Sequence, residues 1–198
     1  MVPRAVCPHC KAHERHRMLA LFFRRYKLAC LSQSGYILHF APEYMVRDEI
    51  ARHAGLRYFA FDIDLAAYPA DLRHGATMDL HAIPLADNFA AGIFCFHVLE
   101  HVRDDRACIR ELYRVLQPGG EAIIMVPFMM DQTETEEYGA PDPDMFDHVR
   151  GYSPLDFKHR LAPFEYEEIT PAALLTGEEA VRHGIPDSQV IYLCRKPL

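Results

Sequence analysis

The segment from residue 93 to residue 126 restricts the fold of this chain more than any other stretch. It opens on an apolar run, Ile93–Phe96, of the kind that forms a strand buried on both faces. A pair of aspartates at 104–105 then predicts a helix N-terminus, and apolar residues follow at helical spacing. Pro-Gly-Gly at 118–120 ends that helix, and the apolar run 122–126 predicts a second strand. Two buried strands joined by a helix form a right-handed βαβ unit of a parallel sheet.

Further strands and helices surround this unit. Short apolar or alternating runs predict strands at 36–40, 58–61, 76–78, 164–169 and 189–194. Helical spacing and capping residues predict helices at 12–30, 44–53 and 153–161. The polar segment 171–188 is expected to be a loop with one short helical turn. Sheets of this kind bind ligands at the carboxyl ends of their strands, and in the unit above that position is the sequence His97–His101.

Composition and charge favour one globular domain with a small amino-terminal appendage. The net charge of −7 disfavours a nucleic-acid partner, although residues 1–30 carry seven Lys and Arg residues against the single acid Glu14. No apolar run approaches the ~20 residues of a membrane span, and the first residues lack the apolar core of a signal peptide. Four of the six cysteines are scattered among apolar neighbours, which favours a reducing cytoplasmic location. These features leave the oligomeric state open.

The amino-terminal segment contains half of a possible zinc site. Cys7 and Cys10 form a C-x-x-C sequence, with His13 and His16 close behind. Structural zinc requires four ligands, which makes these four residues weak candidates. The alternative is a local turn with two free thiols. We favour that alternative and predict no tightly bound zinc here.

The turn after the first predicted strand and the acid after the second suggest a nucleotide-like ligand at the strand ends. The first strand ends at Ala41-Pro42-Glu43, where a tight turn leads into a helix, as in doubly wound folds. An ordinary strand-to-helix turn has the same pattern. Asp62 ends the second strand about 20 residues later, the position that holds ribose hydroxyls in dinucleotide folds. Asp64 is the alternative ribose ligand, and both acids could also serve only to solubilise a loop.

The segment 127–152 shows no clear period and carries seven acids between residues 131 and 147. Long loops in compact domains are commonly functional lids. Its aromatic and methionine content argues against plain disorder. We therefore expect a lid-like insertion over the carboxyl edge of the sheet.

Three sequence motifs together resemble the class I S-adenosylmethionine-dependent methyltransferases of the methyltransferase-11 type. They are D-L-x-x-I-P-L-x-D-N, then FCFHVLEHVRDD, then ELYRVLQPGGEAIIMVP, and the likeness covers about residues 35–165. C-P-x-C, E-R-H-R, H-F-A-P-E and D-H-V-R-x-Y further resemble a bacterial subgroup of this type. The resemblance implies an α/β, Rossmann-like fold: a doubly wound, mostly parallel seven-stranded sheet with an antiparallel last strand. Residues 1–34 would hold the C-x-x-C segment and an amino-terminal helix, and 35–198 the catalytic domain.

The same resemblance implies S-adenosylmethionine as the cofactor and places its binding residues. The turn after the first strand would lie under the methionine part, Asp62 would hold the ribose, Asp79-Leu80 the adenine edge, and His97 the methyl end. The cofactor residues are His39, Phe40, Ala41, Pro42, Glu43, Asp62, Ile63, Met78, Asp79, Leu80 and His97. His39 stands where the family more commonly has an acid, and Ala41-Pro42-Glu43 replaces its Gly-rich loop.

Methyl transfer depends on positioning, and on a base where the acceptor bears a proton. His101 and His148 are the candidate bases, because imidazole titrates near neutral pH. The candidate acceptor contacts are Arg15, Arg17, Tyr138, Arg150 and Tyr152. The expected acceptor is a small molecule lying between the lid, the His97–His101 turn and the amino-terminal helix. The alternatives are a protein or RNA methyltransferase, or a cofactor-binding or partner protein without catalysis.

Overall fold

A computed structural model describes residues 6–32, 34–51, 57–64, 66 and 75–198 of the protein. The strands are β1 (Tyr36–Phe40), β2 (Arg57–Asp62), β3 (Gly75–Thr77), β4 (Ala90–Phe96), β5 (Leu116–Met125), β6 (Glu136–Asp142), β7 (His148–Gly151), β8 (Glu165–Ile169) and β9 (Ile191–Arg195). The helices are α1 (Glu14–Arg25), α2 (Ala29–Ser32), α3 (Tyr44–Ala51), α4 (Asp105–Val115), α5 (Pro154–Arg160), α6 (Pro171–Leu174) and α7 (Gly177–His183).

The strands form a seven-stranded sheet of order β3-β2-β1-β4-β5-β9-β8. The first five of these strands pair in parallel, and β9 is antiparallel to both of its neighbours. The predicted doubly wound, mostly parallel sheet with an antiparallel last strand is therefore confirmed. Strand order reverses between β1 and β4, and the carboxyl ends of these two strands are where such sheets bind ligands.

Helices cover both faces of the sheet because its central strand is apolar on both sides. All residues of β4 are buried. Ile93 and Cys95 pack into one core with α4 and α5, and Phe94 and Phe96 pack into the other with α1, α3 and α6. No helix among the described residues combines the length and apolar character needed to cross a bilayer.

The predicted helix start at 104–105 is confirmed. Asp104 is the N-cap of α4, and its carboxylate accepts a hydrogen bond from the backbone N–H of Ala107. This bond satisfies one of the helix's otherwise unpaired N–H groups. It also fixes where the preceding turn, which carries His97–His101, joins the helix.

The helix predicted over 12–30 is interrupted, because the structure breaks it between Arg25 and Ala29. α1 ends at Arg25, and Tyr26 is extended, at φ −96° and ψ 131°. The chain restarts as the short helix α2, with Leu28 and Cys30 buried. In an unbroken helix, Leu28 and Cys30 would continue along the axis of α1. The break turns the chain, so that both side chains pack onto the sheet. The last two residues of the helix predicted over 44–53 lie outside the described residues.

The segment 171–188 is more ordered than the sequence predicted, because two short helices replace the expected loop. Each begins at a threonine whose hydroxyl accepts a backbone hydrogen bond, Thr170 for α6 and Thr176 for α7. Glu179 completes a capping box with Thr176. The sequence T-x-x-E at residues 176–179 is the signal that predicts this helix start.

The segment 127–152, expected to be an irregular loop, contains a regular element. β6 and β7 pair as an antiparallel hairpin, with a turn of 3-10 helix at Pro143–Met145 between them. The pairing shifts register between Glu137 and Asp142. Most residues of β6 are exposed, so the hairpin lacks the polar–apolar alternation that identifies a half-buried strand.

Candidate functional site

Two adjacent strands of the sheet end in strained backbone. Ala41 follows β1 with φ 50°, and His97 follows β4 with φ 53°. Each is anchored, since the Ala41 N–H donates to the carbonyl of Phe61 at 2.8 Å and the His97 N–H donates to that of Met125 at 3.0 Å. Left-handed backbone at residues other than glycine costs energy and clusters at functional sites. This edge is therefore the place to look for a ligand site.

A cavity of about 360 Å³ opens beside these two residues. Its lining is Phe40, Ala41, Phe61, Asp62, Ile63, Met78, Asp79, Leu80, His81, His97, Val98, His101, Val102 and Arg103. We call it the donor cavity. Most of the residues predicted to bind the cofactor lie here, whereas His39, Pro42 and Glu43 do not. The lining residues that the prediction missed come mainly from the turn between β4 and α4.

Two carboxylates, those of Asp62 and Asp79, lie beside apolar side chains in the donor cavity. Asp62 Oδ1 accepts a hydrogen bond from the backbone N–H of Asp64 at 2.9 Å. Asp79 accepts from the backbone N–H of His81 at 2.9 Å, and that bond is the main reason that the pKa of Asp79 lies below its usual value. Apolar walls with a few fixed polar groups are typical of a nucleoside site.

His39 points away from the donor cavity. Its ring is fully buried against Phe94 and Phe96, on the opposite face of the sheet. Nδ1 lies 2.9 Å from the hydroxyl oxygen of Tyr58. Burial lowers the pKa of His39 to about 4. This residue packs in the core, so the geometry does not support its predicted contact with the cofactor.

Glu43 also has a different role from the one expected. Its Oε1 lies 2.6 Å from Nη2 of Arg15, and its Oε2 lies 2.8 Å from Nε2 of His16. Burial alone would raise the pKa of Glu43, but the hydrogen bonds from His16 and Arg15 outweigh it and lower the pKa to about 2. These contacts tie the start of α1 to the turn after β1.

A second cavity, of about 560 Å³, lies between the start of α1, the turn after β4 and the hairpin segment. Its lining is His13, Glu14, Arg15, Ala41, Glu43, Phe96, His97, Glu100, His101, Pro127, Phe146, His148 and Gln189. We call it the acceptor cavity. It shares Ala41, His97 and His101 with the donor cavity, so the two meet at the strained strand ends. Both candidate bases line it, and so does Arg15.

Polar side chains cluster where the cavities meet. The rings of His101 and His148 are 4.8 Å apart and nearly perpendicular. Glu100 is fully buried, with Oε1 3.2 Å from Nδ1 of His97. Burial lowers the pKa of His148, against an opposing effect of the Glu100 carboxylate. The sequence analysis missed Glu100, although the spacing H-x-x-E-H was the available signal.

The other predicted acceptor contacts do not line either cavity in the described part of the chain. Arg17 donates to the carbonyls of residues 12, 183 and 184, which ties α1 to the end of α7. Tyr138 lies against the backbone of Gly151, on the hairpin. Arg150 and Tyr152 are buried. Arg17, Arg150 and Tyr152 therefore hold main-chain carbonyls in place.

The four weak zinc candidates do not converge in the described residues. Cys10 is exposed, and Cys7 belongs to a turn in which its carbonyl accepts from the backbone N–H of Lys11. His16 is engaged with Glu43, and its Nδ1 accepts from the backbone N–H of His13. The expected absence of zinc here stays a prediction.

Part of this chain is similar to known methyltransferases. A family model described as a methyltransferase domain matches residues 45–124. A curated protein of Mycolicibacterium smegmatis, with the printed name "Probable S-adenosylmethionine-dependent methyltransferase", is 34% identical over 86 residues. That alignment covers 42% of this chain and 32% of the relative, so the chain spans about a third of the relative's length.

Solved structures agree on the fold. A chain from the complex of the Haloferax volcanii Trm112 methyltransferase activator matches with TM-score 0.65 and 13% identity, covering 93% of this chain and 91% of that one. Phosphoethanolamine N-methyltransferase 2 of Haemonchus contortus, solved with S-adenosylhomocysteine, matches with TM-score 0.59 and 14% identity, covering 92% and 52%. The solved structures therefore share the fold of this chain, and the segment 45–124 is similar to a methyltransferase domain.

Proposed function

We propose that this protein is an S-adenosylmethionine-dependent methyltransferase that acts on a small-molecule acceptor. One observation carries the proposal, namely the meeting of the donor and acceptor cavities at Ala41, His97 and His101. Methyl transfer needs two reactants aligned on either side of one point, and positioning supplies much of the catalysis. Two cavities that share a wall of strained backbone provide that alignment.

The lining of the donor cavity fits S-adenosylmethionine, which would supply an electrophilic methyl group. Met78 and Leu80 would pack against the adenine, and Asp62 would accept hydrogen bonds from the ribose hydroxyls. The left-handed turn at Ala41 lets backbone approach the methionine portion closely, which replaces the missing Gly-rich loop. His97, common to both cavities, would lie at the methyl end.

The acceptor cavity fits a small molecule better than a polymer. Its volume of about 560 Å³ lies within the usual range for small-molecule pockets. α1 borders it on one side and the hairpin segment on another. Phe146 is 82% exposed, and we propose that the segment 127–152 acts as a lid in which this ring covers the bound acceptor. His101 and His148 face the cavity as candidate proton acceptors.

Calorimetry with S-adenosylmethionine and S-adenosylhomocysteine tests the proposal. We expect both to bind one per chain, with weaker binding after Asp62→Asn. Asp187→Asn is the matched control, because Asp187 is an exposed acid away from both cavities. Failure of both ligands to bind the folded protein would overturn the methyltransferase assignment.

A further inference from the structure

We propose that Glu100, His101 and His148 bind one divalent transition-metal ion at the acceptor side of the site. The metal site stands on these three side chains alone. Its role in catalysis rests on the function proposed above. The donor atoms of the three residues lie within 4.8 Å of one another.

The distances are within reach of those of a formed site. Imidazole nitrogen and carboxylate oxygen lie about 2.0–2.2 Å from a bound zinc ion, and in a tetrahedral site two such ligands are about 3.4 Å apart. Closing the cluster from 4.8 Å therefore needs a movement of up to about 1.4 Å, within the reach of side-chain rotation. His101 is exposed and His148 half-buried, so both rings have room to turn. Glu100 is the fixed member.

The state of Glu100 is the strongest support. The residue is 0% exposed, and neither carboxylate oxygen has a hydrogen-bond partner among the described residues. Burying a carboxylate without partners costs several kcal/mol or more, so such groups are paired or coordinate metals. In the described part of the chain, the one ion-pair contact to this carboxylate is from Nδ1 of His97, at 3.2 Å. A cation bound between Glu100 and the two histidines would pair with the carboxylate and offset the cost of burying it.

The backbone holds the cluster together from two separate segments. The N–H of Val149 donates to the carbonyl of Glu100 at 2.8 Å, which sets His148 beside the turn after β4. Phe146 and Asp147 adopt left-handed backbone at φ 58° and 60°, and this reversal brings the chain back to the turn. His97 would then orient the carboxylate from outside the metal's ligand shell, a common arrangement around metal ligands.

Two imidazoles and a carboxylate select the kind of ion. This set suits zinc, iron, cobalt or nickel rather than magnesium or calcium, which prefer oxygen ligands. Three protein ligands leave at least one position open, as in catalytic sites. All three ligands line the acceptor cavity, so that position faces the acceptor.

The site identifies the acceptor class as a hydroxyl compound. Coordination of a hydroxyl oxygen lowers its pKa, and its proton leaves to solvent. The resulting oxygen is held at the junction of the two cavities. In this arrangement the imidazole nitrogens coordinate the ion through their lone pairs, so neither histidine needs to act as the base.

Cobalt titration of the purified 198-residue chain tests the site, because Co²⁺ gives visible absorption that reports its ligands. We expect one Co²⁺ per chain, displaced by Zn²⁺, with no thiolate charge-transfer band. Glu100→Gln and His101→Ala should each weaken binding beyond the about 10–100-fold that outer-sphere changes cost. His159→Ala and the double change Cys7→Ser with Cys10→Ser are the controls, and both should bind as the native chain does. Circular dichroism reports whether each variant is folded, and exposed His101 covers the case in which Glu100→Gln fails to fold.

Binding that survives both Glu100→Gln and His101→Ala, or that disappears with the cysteines, overturns the proposal. So does a native chain that binds S-adenosylhomocysteine but no Co²⁺, and the methyltransferase assignment then stands without the metal. A chain that binds Co²⁺ through these residues but no S-adenosylhomocysteine supports the metal site while the proposed function fails.

Discussion

Arg150 supports the candidate site from inside the core, and its replacement gives a sharp test of the structure. Its side chain is buried, and its guanidinium donates to three main-chain carbonyls, of Leu99, Val102 and Arg103 at 2.7, 2.6 and 2.9 Å. Its Nε also donates to Glu137 at 2.9 Å. These bonds hold the turn after β4 against the hairpin.

We expect Arg150→Met to lower the free energy of unfolding by about 3–5 kcal/mol, the range for removing one partner of a buried charge network. Methionine keeps most of the packing, so the loss reports the hydrogen bonds. Each bond to a charged donor contributes about 1.5–3 kcal/mol. Two of the three carbonyls are only partly buried and can regain water, which reduces the sum to the stated range. Arg150→Lys should fall between the native chain and Arg150→Met, because a lysine cannot bridge three carbonyls.

Urea unfolding followed by circular dichroism measures the change. Arg110→Met is the matched control, because Arg110 is exposed on α4 and should change stability by less than about 0.5 kcal/mol. A variant Arg150→Met as stable as the native chain would refute the structural role. If Arg150→Met kept the native stability but lost turnover, Arg150 would instead contact the acceptor, as the sequence analysis suggested.

Four further predictions follow from the site and its surroundings. Asp62→Asn should weaken S-adenosylhomocysteine binding by about 1.5–3 kcal/mol in calorimetry, the value of a hydrogen bond to a charged group; unchanged affinity would point to Asp64. His39 has a folded pKa of about 4, below the unfolded value of about 6.5, so its contribution to stability is present above pH 6.5 and lost as pH falls through 4. In urea unfolding, the free energy of unfolding should fall by about 3 kcal/mol over that pH window, and this fall should be absent in His39→Asn. If the variant shows the same pH dependence as the native chain, the loss comes from other groups. His148→Ala should reduce turnover more than cofactor affinity, because His148 lines only the acceptor cavity; a loss confined to cofactor affinity would contradict this. Zinc content by elemental analysis should be the same in the native chain and Cys7→Ser, and one equivalent lost in the variant would restore the amino-terminal zinc site.

The fold could be predicted where local signals agree with the tertiary structure. In the unit β4–α4–β5, the apolar run and the capping Asp104 correctly predicted a strand and a helix start. The helix ends at Val115, however, and the Pro-Gly-Gly at 118–120 that was predicted to end it lies inside β5. Asp62 could be placed for a similar reason, because its distance from the first turn is set by the length of one βα unit. Both predictions rest on contacts between residues near in sequence.

The misplaced residues depend on contacts between distant segments. Arg150 and Tyr152 lie in a long polar segment, and such residues are usually surface groups with functional roles. Their burial depends on the carbonyls of a turn about 50 residues earlier, which no local pattern records. His39 was misassigned because alternation along β1 gives two faces without saying which one borders the cavity.

The hydrogen bonds of the turn after β4 link the assembly of the acceptor cavity to the hairpin. The carbonyl of Leu99 accepts from Arg150 and lies 3.0 Å from the hydroxyl of Tyr152, and the carbonyl of Glu100 accepts from Val149. Two consecutive residues of the turn after β4, Leu99 and Glu100, therefore have their geometry set by the strand β7 and the residue after it. Because His101 and His148 come from these two segments, neither side of the cavity is complete without the other. A change that frees the hairpin should consequently disturb the acceptor side and leave the wall of the donor cavity formed by Asp62 and Met78 intact.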